Sequence, residues 1–357
     1  MKAKLVLEDG TAFIGNSFGA EGEALGEVVF NTSMTGYEEI LTDPSYKGQM
    51  VTMTYPLIGN YGFNNIDKES FKPHVNGFIV KEICDASSNW RGNISPEEYF
   101  KEYNIVGIKD IDTRKLTKHI RNFGSMNGII STKDESIEEL LNKIKENKLL
   151  KINLVKEVST TEKYHIEGKG KKIAVLDFGV KQSILRILQN KGCDIYVFPY
   201  NSTTEELLEI NPDGILLSNG PGDPEDLPEV YENIKKLLGK KPIMGICLGH
   251  QLLGIALGGK TYKLKFGHHG ANHPVKDFIT GKIYITSQNH NYALKNNFNS
   301  DVIITHINVN DGTVEGFKHK FLPIISVQYH PEAAPGPQDS NYIFDDFIKM
   351  AGGNANA

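Results

Sequence analysis

The spacing of apolar and polar residues divides the chain into two parts. Up to residue 150, short apolar runs alternate with turns rich in Gly, Pro and Asn, as in KLVLEDG, EVVFNT, MVTMTYP and NGFIVKEI. Runs of this length, bounded in this way, predict β-strands. Two helical patterns follow, SPEEYFKEYN and SIEELLNKIKEN, and each begins with a serine suited to cap a helix. Residues 1–150 are therefore predicted to form a smaller, strand-rich α/β domain.

The second part alternates strands with helices. The runs KIAVLDFG, DIYVFPY, GILLSNGPG and PIMGIC predict strands, and VKQSILRILQNKG, TTEELLEI and PEVYENIKKLLGK predict the helices between them. This alternation indicates a mainly parallel, helix-flanked sheet, followed here by a strand-rich tail and a final helix. We predict an α/β domain over residues 171–352, joined to the first by a lysine-rich linker at 151–170.

Composition narrows the class of protein. The chain has 357 residues, 39% of them hydrophobic, which fits two globular domains. Its formal net charge of −5 argues against nucleic acid or a membrane as the main partner. The start, MKAKLVLEDG, has no signal-peptide core. Three cysteines without a metal-type pair indicate reduced thiols. We expect a soluble, cytoplasmic protein.

One cysteine lies where a strand meets a helix. In PIMGICLGHQLLGIALGG, a strand ends at PIMGI and a helix begins at LGHQ, which places Cys247 on the turn, bracketed by Gly245 and Gly249. This arrangement resembles a nucleophile elbow with sulfur in place of hydroxyl. A helix N-terminus favours the reactive thiolate, and the N–H of Leu248 is placed to donate to an oxyanion. The alternative is a buried cysteine that only fills a turn.

A histidine and a carboxylate near the end of the chain supply possible partners. In PIISVQYHPEAAPGP, His330 comes just after a strand and before a proline, which restricts its backbone to extended conformations. Glu332, two residues later, can orient the ring and stabilise the imidazolium. A structural histidine beside proline is common, so this motif is informative only together with the cysteine turn.

Together these motifs resemble the class I glutamine amidotransferases. The pattern GICLGHQ with a later HPE is similar to that family, as is LSNGPGDP at residues 217–224, a loop that in the family completes the oxyanion hole. The resemblance implies a class I glutaminase fold for the C-terminal domain. The alternative for Asn-Gly-Pro-Gly alone is an ordinary tight turn.

The N-terminal part resembles the family of carbamoyl-phosphate synthetase small subunits. The segments NTSMTGYEEILTDPSYKGQMVTMTYPLIGNYG and DIDTRKLTKHIRNFGSMNG carry this resemblance, and DFGVKQSILR, KFGHHGANHPV, SQNHNYAL and HPEAAPGPQDS extend it. It implies that Cys247 is the nucleophile, His330 the base and Glu332 its orienter. The residues implied to hold glutamine are Ser45, Gly220, Gly222, Leu248, Gln251, Asn289, Asn291 and Tyr292.

The same resemblance implies a reaction and a partner. Glutamine would be hydrolysed to glutamate and ammonia through a γ-glutamyl thioester. The ammonia would pass to a large synthetase subunit that makes carbamoyl phosphate from bicarbonate and ATP, for pyrimidine and arginine synthesis. We expect a heterodimer that is able to oligomerise further, with no cofactor or metal in this chain and with ATP and a divalent metal on the large subunit. Ser45 implies that the N-terminal domain leans over the active site.

One position departs from the family pattern, and several patterns compete with it. Asn291 stands where the family usually has Gly, and Asn suits the position if its backbone needs a positive φ.

The P-loop expression GIALGGKT, residues 254–261, has a helix before it and a strand after it, the reverse of a phosphate-binding loop. The histidines of FGHHGANHP (His268, His269 and His273) are assigned a structural or glutamine-site role over a metal site.

The sequence leaves three alternatives open. The basic helix DTRKLTKHIR is either a solvated surface or a docking surface for a partner subunit. A stand-alone hydrolase of the same fold would leave the first 150 residues unexplained and would need no partner. A catalytically silent regulatory subunit would leave the Cys247, His330 and Glu332 set unexplained.

Overall fold

The computed structural model describes residues 1–64, 66–146, 153–298 and 300–353. These residues form two compact units. The first contains the residues up to 146 together with Lys265–His269, and the second contains those from 153 to 264 and from 270 onward. Residues 147–150 of the predicted first domain and 151–152 of the predicted linker lie outside the described residues. Within the described part, no helix is long and apolar enough to cross a membrane.

The first unit is built around a closed barrel of strands. Its strands are β1 (Lys2–Leu7), β2 (Ala12–Gly19), β3 (Glu23–Asn31), β4 (Gln49–Met53), β5 (Leu57–Ile58), β6 (Gly77–Ile79), β7 (Glu82–Ile83), β8 (Val106–Lys109) and β9 (Met126–Ser131). Its helices are α1 (Tyr37–Thr42), α2 (Pro96–Glu102), α3 (Thr113–Phe123) and α4 (Ile137–Glu146). The barrel order is β1-β2-β8-β6-β4-β3-β9, and β5 pairs with β7.

Both predicted helices of this unit form, with serine caps. Ser95 and Glu98 make a capping box at the start of α2, each satisfying the other's backbone N–H. Ser136 does the same with Glu139 ahead of α4. The basic helix α3 buries only one face, at Thr113, Leu116 and Ile120, so its lysines and arginines lie on the other faces.

The second unit contains the remaining elements. Its helices are α5 (Leu154–Val158), α6 (Gln182–Asn190), α7 (Thr204–Glu209), α8 (Pro228–Leu237), α9 (Leu248–Ala256) and α10 (Tyr342–Ala351). Its strands are β10 (Tyr164–Ile166), β11 (Lys172–Asp177), β12 (Asp194–Pro199), β13 (Gly214–Leu217), β14 (Ile243–Ile246), β15 (Thr261–Asp277), β16 (Ile283–Leu294), β17 (Val302–Asn308), β18 (Val314–His319) and β19 (Ile324–Val327). The middle of β15 is the segment that belongs to the first unit.

These strands form one ten-stranded sheet in the order β10-β12-β11-β13-β14-β19-β18-β17-β15-β16. The consecutive pairs from β12 to β19 are parallel, as predicted for an α/β sheet. The pairs from β19 through β18 and β17 to β15 are antiparallel, which accounts for the strand-rich tail of the sequence. The carboxyl ends of β11, β13, β14 and β19 consequently meet at one edge.

Two apolar cores cover the two faces of the parallel strands. Leu176 of β11 belongs to a core with residues of α7, α8 and α9, whereas its neighbour Val175 belongs to a core with residues of α6 and α10. Alternate residues of a strand point to opposite faces, so this division places helices on both sides of the sheet. Each fully buried Leu, Ile or Phe stabilises such a core by about 1.5–3 kcal/mol.

The predicted linker contains ordered elements of the second unit. Within it, α5 buries Val155 in the core of α7 to α9, and β10 pairs antiparallel with β12 at the edge of the sheet. The lysine-rich composition predicts a linker without secondary structure. A short edge strand and a one-turn helix bury few residues, so such a composition is compatible with both. The structure therefore begins the second unit before residue 171.

Candidate active site

Cys247 forms a strained turn between β14 and α9. Its backbone has φ 52° and ψ −105°, a combination that residues other than glycine rarely adopt. The N–H of Cys247 donates to the carbonyl of Val327 at 3.0 Å, which holds the turn to the end of β19. The side chain is buried at the carboxyl edge of the sheet. This is the strand–turn–helix geometry predicted from the sequence.

Gly249 allows this turn to pack against the neighbouring strand. A Cβ atom at this position would lie 2.2 Å from the carbonyl oxygen of Leu217, the last residue of β13. The N–H of Gly249 donates to the carbonyl of Ser218 at 2.9 Å. The start of α9 is therefore fixed beside the loop that follows β13.

His330 and Glu332 form a buried hydrogen-bonded pair just after β19. The Nδ1 atom of His330 lies 2.6 Å from Oε1 of Glu332, and the two side chains are 1% and 0% exposed. Because a carboxylate accepts, Nδ1 carries the proton and Nε2 is the atom left for chemistry. The N–H of His330 donates to the carbonyl of Ser287 at 2.9 Å and fixes the backbone.

Burial and charge act against each other on this pair. Burial disfavours the imidazolium, but the charge of Glu332 and then that of Cys247 outweigh it and raise the pKa of His330 to about 10. Burial also opposes ionisation of Glu332, but the charges of Lys181 and His330 lower the pKa of its carboxyl to about 2. At neutral pH the pair is therefore an imidazolium beside a carboxylate.

Lys181 is a member of this cluster that sequence reasoning missed. Its Nζ lies 3.0 Å from Oε1 of Glu332 and donates to the carbonyl of Ala333 at 2.6 Å, and the residue is 2% exposed. Lysine is almost never buried unless it is paired. The available signal was the position of Lys181 in DFGVKQ, in the connection that follows strand β11, at the same sheet edge as Cys247.

The loop after β13 lies beside this cluster. The N–H of Phe178 donates to the hydroxyl of Ser218 at 2.9 Å, and the N–H of Lys181 donates to Oδ1 of Asn219 at 3.2 Å. Gly220 and Gly222 follow in the same loop, with Gly220 buried. Leu248 is the first residue of α9, so its N–H has no partner in the helix ladder. This loop and this N–H are the candidate oxyanion donors.

The other predicted glutamine-binding residues of the second unit lie on α9 and β16. Gln251 is one turn beyond Cys247, and its Nε2 donates to the carbonyl of Tyr292 at 2.7 Å. The Sγ of Cys247 lies 3.5 Å from the carbonyl oxygen of Asn289. The structure therefore brings Cys247, Gln251 and residues 289–292 together.

Two predicted glutamine-binding residues, Asn291 and Ser45, are held by local backbone structure. Asn291 lies inside β16 and is not among the residues with positive φ in the part of the chain described, so the left-handed backbone considered for it is not present. A strand accepts Asn without strain. Ser45 lies in the first unit, buried in a 3-10 turn at Pro44–Tyr46, where its N–H donates to Oδ1 of Asp43 at 2.9 Å. Its part in glutamine binding stays a prediction.

The P-loop expression and the histidine cluster of the sequence both fall on helix α9, strand β15 or the turn between them. The helix α9 ends at Ala256 and strand β15 begins at Thr261. The P-loop expression is therefore preceded by a helix and followed by a strand, as predicted. His268, His269 and His273 all lie along β15. Their role as structural or glutamine-site residues stays a prediction.

Comparison with known proteins agrees with this geometry. Residues 174–350 match the family model for glutamine amidotransferase class-I, and residues 5–130 match the model for the carbamoyl-phosphate synthase small chain, CPSase domain. A carbamoyl phosphate synthase small chain from Clostridium perfringens is 57% identical over 351 residues, covering 98% of this chain and 100% of that protein.

Two further relatives come from Bacillus. The carbamoyl phosphate synthase pyrimidine-specific small chain of Bacillus subtilis is 55% identical over 350 residues, covering 98% of this chain and 96% of its own. The carbamoyl phosphate synthase small chain of Bacillus caldolyticus is 54% identical over 352 residues, with the same coverages. The likeness extends over both units of the chain.

Proposed function

Because the chain belongs to the family of carbamoyl phosphate synthase small chains, we propose that it hydrolyses L-glutamine with Cys247 as nucleophile, His330 as acid and base, and Glu332 as orienter. Its role is that of the glutaminase subunit of a glutamine-hydrolysing carbamoyl-phosphate synthase. The observation that carries the residue assignment is the buried 2.6 Å hydrogen bond of His330 to Glu332, beside a cysteine on a strained strand-to-helix turn.

The first step forms the thioester. Cys247 attacks the side-chain amide carbon of glutamine as a thiolate, its proton held by the imidazolium of His330. The tetrahedral intermediate then collapses, the carbon–nitrogen bond breaks, and Nε2 of His330 gives its proton to the leaving nitrogen. Ammonia and a γ-glutamyl thioester result. Glu332 stays ionised throughout, because its pKa is lowered to about 2.

The second step restores the enzyme. A water molecule attacks the thioester carbon while Nε2 of His330, now neutral, accepts its proton. The carbon–sulfur bond breaks, glutamate leaves, and Cys247 is again a thiolate beside an imidazolium. In both steps the N–H groups of Leu248 and of the Gly220–Gly222 loop stabilise the oxyanion, and loss of one such donor costs about 10²–10³ in rate.

The proposed function includes a partner chain that uses the ammonia. We infer that the ammonia passes to a large synthetase chain, which makes carbamoyl phosphate from bicarbonate and ATP and which holds the ATP and the divalent metal. The hydrolysis of glutamine in these two steps needs no cofactor. The pyrimidine-specific name of the Bacillus subtilis relative supports pyrimidine synthesis as a destination of the product. A role in arginine synthesis, the heterodimer and its higher assembly, and the cytoplasm as the compartment stay predictions.

The test is the variant Cys247→Ser, assayed in complex with the large chain. We expect glutamine-dependent synthesis of carbamoyl phosphate to disappear, while synthesis from added ammonia continues. Cys193→Ser is the matched control, because Cys193 is also a buried cysteine of the second unit but lies just before β12, away from the turn between β14 and α9. Retention of glutamine-dependent synthesis by Cys247→Ser would refute the assignment of the nucleophile.

A further inference from the structure

Two buried glutamines connect the elements that carry the nucleophile and the base. Gln251 lies on α9, where its backbone N–H donates to the carbonyl of Cys247 at 3.1 Å. Gln328 directly follows β19, two residues before His330. The two residues are 3% and 0% exposed, respectively, and their side chains are hydrogen-bonded to each other: Nε2 of Gln251 lies 3.0 Å from Oε1 of Gln328.

The amide of Gln251 has only one consistent orientation. Its Nε2 has two N–H donors, and both are used, one on the carbonyl of Tyr292 at 2.7 Å and one on Oε1 of Gln328 at 3.0 Å. Reversing the amide would put its oxygen against two acceptors. Its Oε1 accepts no hydrogen bond from any residue that the structure describes. The side chain of Gln251 is therefore left with an acceptor and no further donor.

Gln328 fixes the orientation of the Gln251 amide, but its own amide nitrogen is left without a hydrogen bond. Its Oε1 must face Gln251, because the reversed amide would set two NH₂ groups against each other. This leaves its own Nε2 buried and without a hydrogen-bond partner among the described residues. An unsatisfied buried donor lowers stability, and a methionine of similar size would fill the same space without that cost. An amide at residue 328 is thus explained by its bond to Gln251 and not by packing.

We propose that Gln328 is a positioning residue that fixes the amide of Gln251 so that its oxygen accepts an N–H of the substrate glutamine. The N–H belongs either to the α-ammonium group or to the side-chain carboxamide, and both are donors. A site built to accept a hydrogen bond discriminates strongly against analogues that lack the donor. The proposal rests on the proposed glutaminase function and adds to it the residue that sets this selectivity.

The first test is a double-mutant cycle on glutamate release, measured in complex with the large chain. Gln328→Met removes the acceptor, and we expect KM for glutamine to rise about tenfold, the value of one hydrogen bond, with kcat within about twofold of the wild type. In a Gln251→Ala background the same change should leave KM unaltered, because the group that Gln328 orients is gone. Equal factors in both backgrounds would overturn the proposal.

The second test separates the two possible N–H groups. Glutaramate lacks the α-amino group, and the γ-methyl ester of glutamate lacks the carboxamide N–H. For the analogue that lacks the recognised donor, Gln328→Met and the wild type should have equal KM values, while glutamine and the other analogue should respond to the substitution. A response of the same size for all three compounds would contradict the proposal.

Two controls keep these outcomes interpretable. Gln328→Glu retains an oxygen facing Gln251, so its KM should lie nearer to the wild-type value than that of Gln328→Met. The rate at which a small alkylating reagent modifies Cys247 should be unchanged in Gln328→Met if the site is folded. Failure of the proposed function appears separately, as glutamine-dependent synthesis that survives Cys247→Ser, whatever the result at residue 328.

Discussion

Lys181 and Glu332 form an ion pair that is buried on both sides, with Nζ 3.0 Å from Oε1 and side-chain exposures of 2% and 0%. The same Oε1 is 2.6 Å from Nδ1 of His330. One carboxylate oxygen of Glu332 therefore contacts both the ammonium group of Lys181 and the imidazole of the proposed base. Removing one partner of a buried pair leaves an uncompensated charge, which typically costs about 3–5 kcal/mol. Lys181 therefore supports both the second unit and the ionised state of Glu332.

Lys181→Met should impair the glutaminase most strongly at low pH. The pKa of Glu332 is lowered to about 2 against the effect of burial, and Lys181 is the largest of the charges that lower it. Its pairing energy is present above the ordinary carboxyl pKa and is lost as pH falls towards 2. Without the lysine, the pKa of Glu332 rises. We expect a roughly tenfold or larger loss of glutamate release at neutral pH, with the acid limb of the pH–rate profile shifted to higher pH.

Lys191→Met is the control for this prediction. Lys191 also pairs with a carboxylate, that of Asp345, but the two side chains are 26% and 53% exposed, and such surface pairs contribute about 0–1 kcal/mol. The pH–rate profile of Lys191→Met should overlay that of the wild type. An unshifted acid limb in Lys181→Met would show that Lys181 has only a structural role.

The protonation of His330 should depend on Cys247. Burial lowers the pKa of His330, but the charges of Glu332 and then of Cys247 raise it to about 10. In Cys247→Ser we therefore expect its pKa to fall, so that the ring loses its proton at a lower pH. A titration of labelled histidine by NMR measures this, with the His330 signal assigned from its absence in His330→Gln.

His306 is an internal reference in the same titration. Burial lowers its pKa to about 4, and Cys247 is not among the groups that act on it, so its midpoint should be unchanged in Cys247→Ser. Equal midpoints for His330 in the wild type and the variant would mean that the thiol and the imidazole do not interact.

Local sequence pattern was enough to predict the elements around the nucleophile. The strand, turn and helix at Cys247 follow from an apolar run, a glycine pair and a helical period within some 18 residues. The order of His330, Pro331 and Glu332 likewise predicted an extended histidine with a carboxylate within reach, and the structure contains this hydrogen bond. Contacts of this kind can be predicted from the sequence, because residues that are close in the chain are close in space whatever the tertiary structure.

Features set by distant pairings were not predicted. Closure of the first unit into a barrel depends on β1 pairing with both β2 and β9, a register that no local pattern encodes. Lys181 meets the carbonyl of Ala333, 152 residues further along the chain, and only the parallel sheet brings them together. For the same reason composition predicts only a linker at residues 151–170, although β10 within this segment is completed by pairing with β12.

Gly249→Ala should disrupt the turn that carries Cys247. The added methyl carbon would lie 2.2 Å from the carbonyl oxygen of Leu217, and backbone on both sides cannot yield as a flexible side chain would. Overpacking of this kind costs about 1–3 kcal/mol or more. We expect a lower melting temperature of the second unit, by calorimetry, and loss of glutamate release.

Gly258→Asn is the matched substitution at the other end of the same helix. A Cβ at Gly258 would meet no atom within 4 Å, and asparagine tolerates the left-handed backbone, φ 88°, better than other residues. Melting temperature and glutamate release should both stay near the wild-type values. A Gly249→Ala protein that is as stable and active as Gly258→Asn would contradict the close approach of α9 to β13.

Glu38 makes the stability of the first unit depend on pH. It is 1% exposed, its Oε2 accepts the N–H of Asn64 at 2.8 Å, and its Oε1 has no hydrogen-bond partner among the described residues. Burial raises the pKa of its carboxyl to about 7, and the bond from Asn64 only partly opposes this. Between the ordinary carboxyl pKa of about 4.3 and about 7, the folded unit therefore binds a proton that the unfolded chain has released.

The sign of the effect follows from this difference in protonation. The stability that protonated Glu38 contributes is complete below the unfolded pKa and is lost as pH rises through about 7, a change on the order of 3 kcal/mol. Glu38→Gln keeps the acceptor for Asn64 and carries no charge, so the first unit should be more stable than the wild type at pH 8 and similar at pH 5. Hydrogen exchange of the Asn64 amide at both pH values measures this, and an advantage of equal size at both would rule out titration of Glu38.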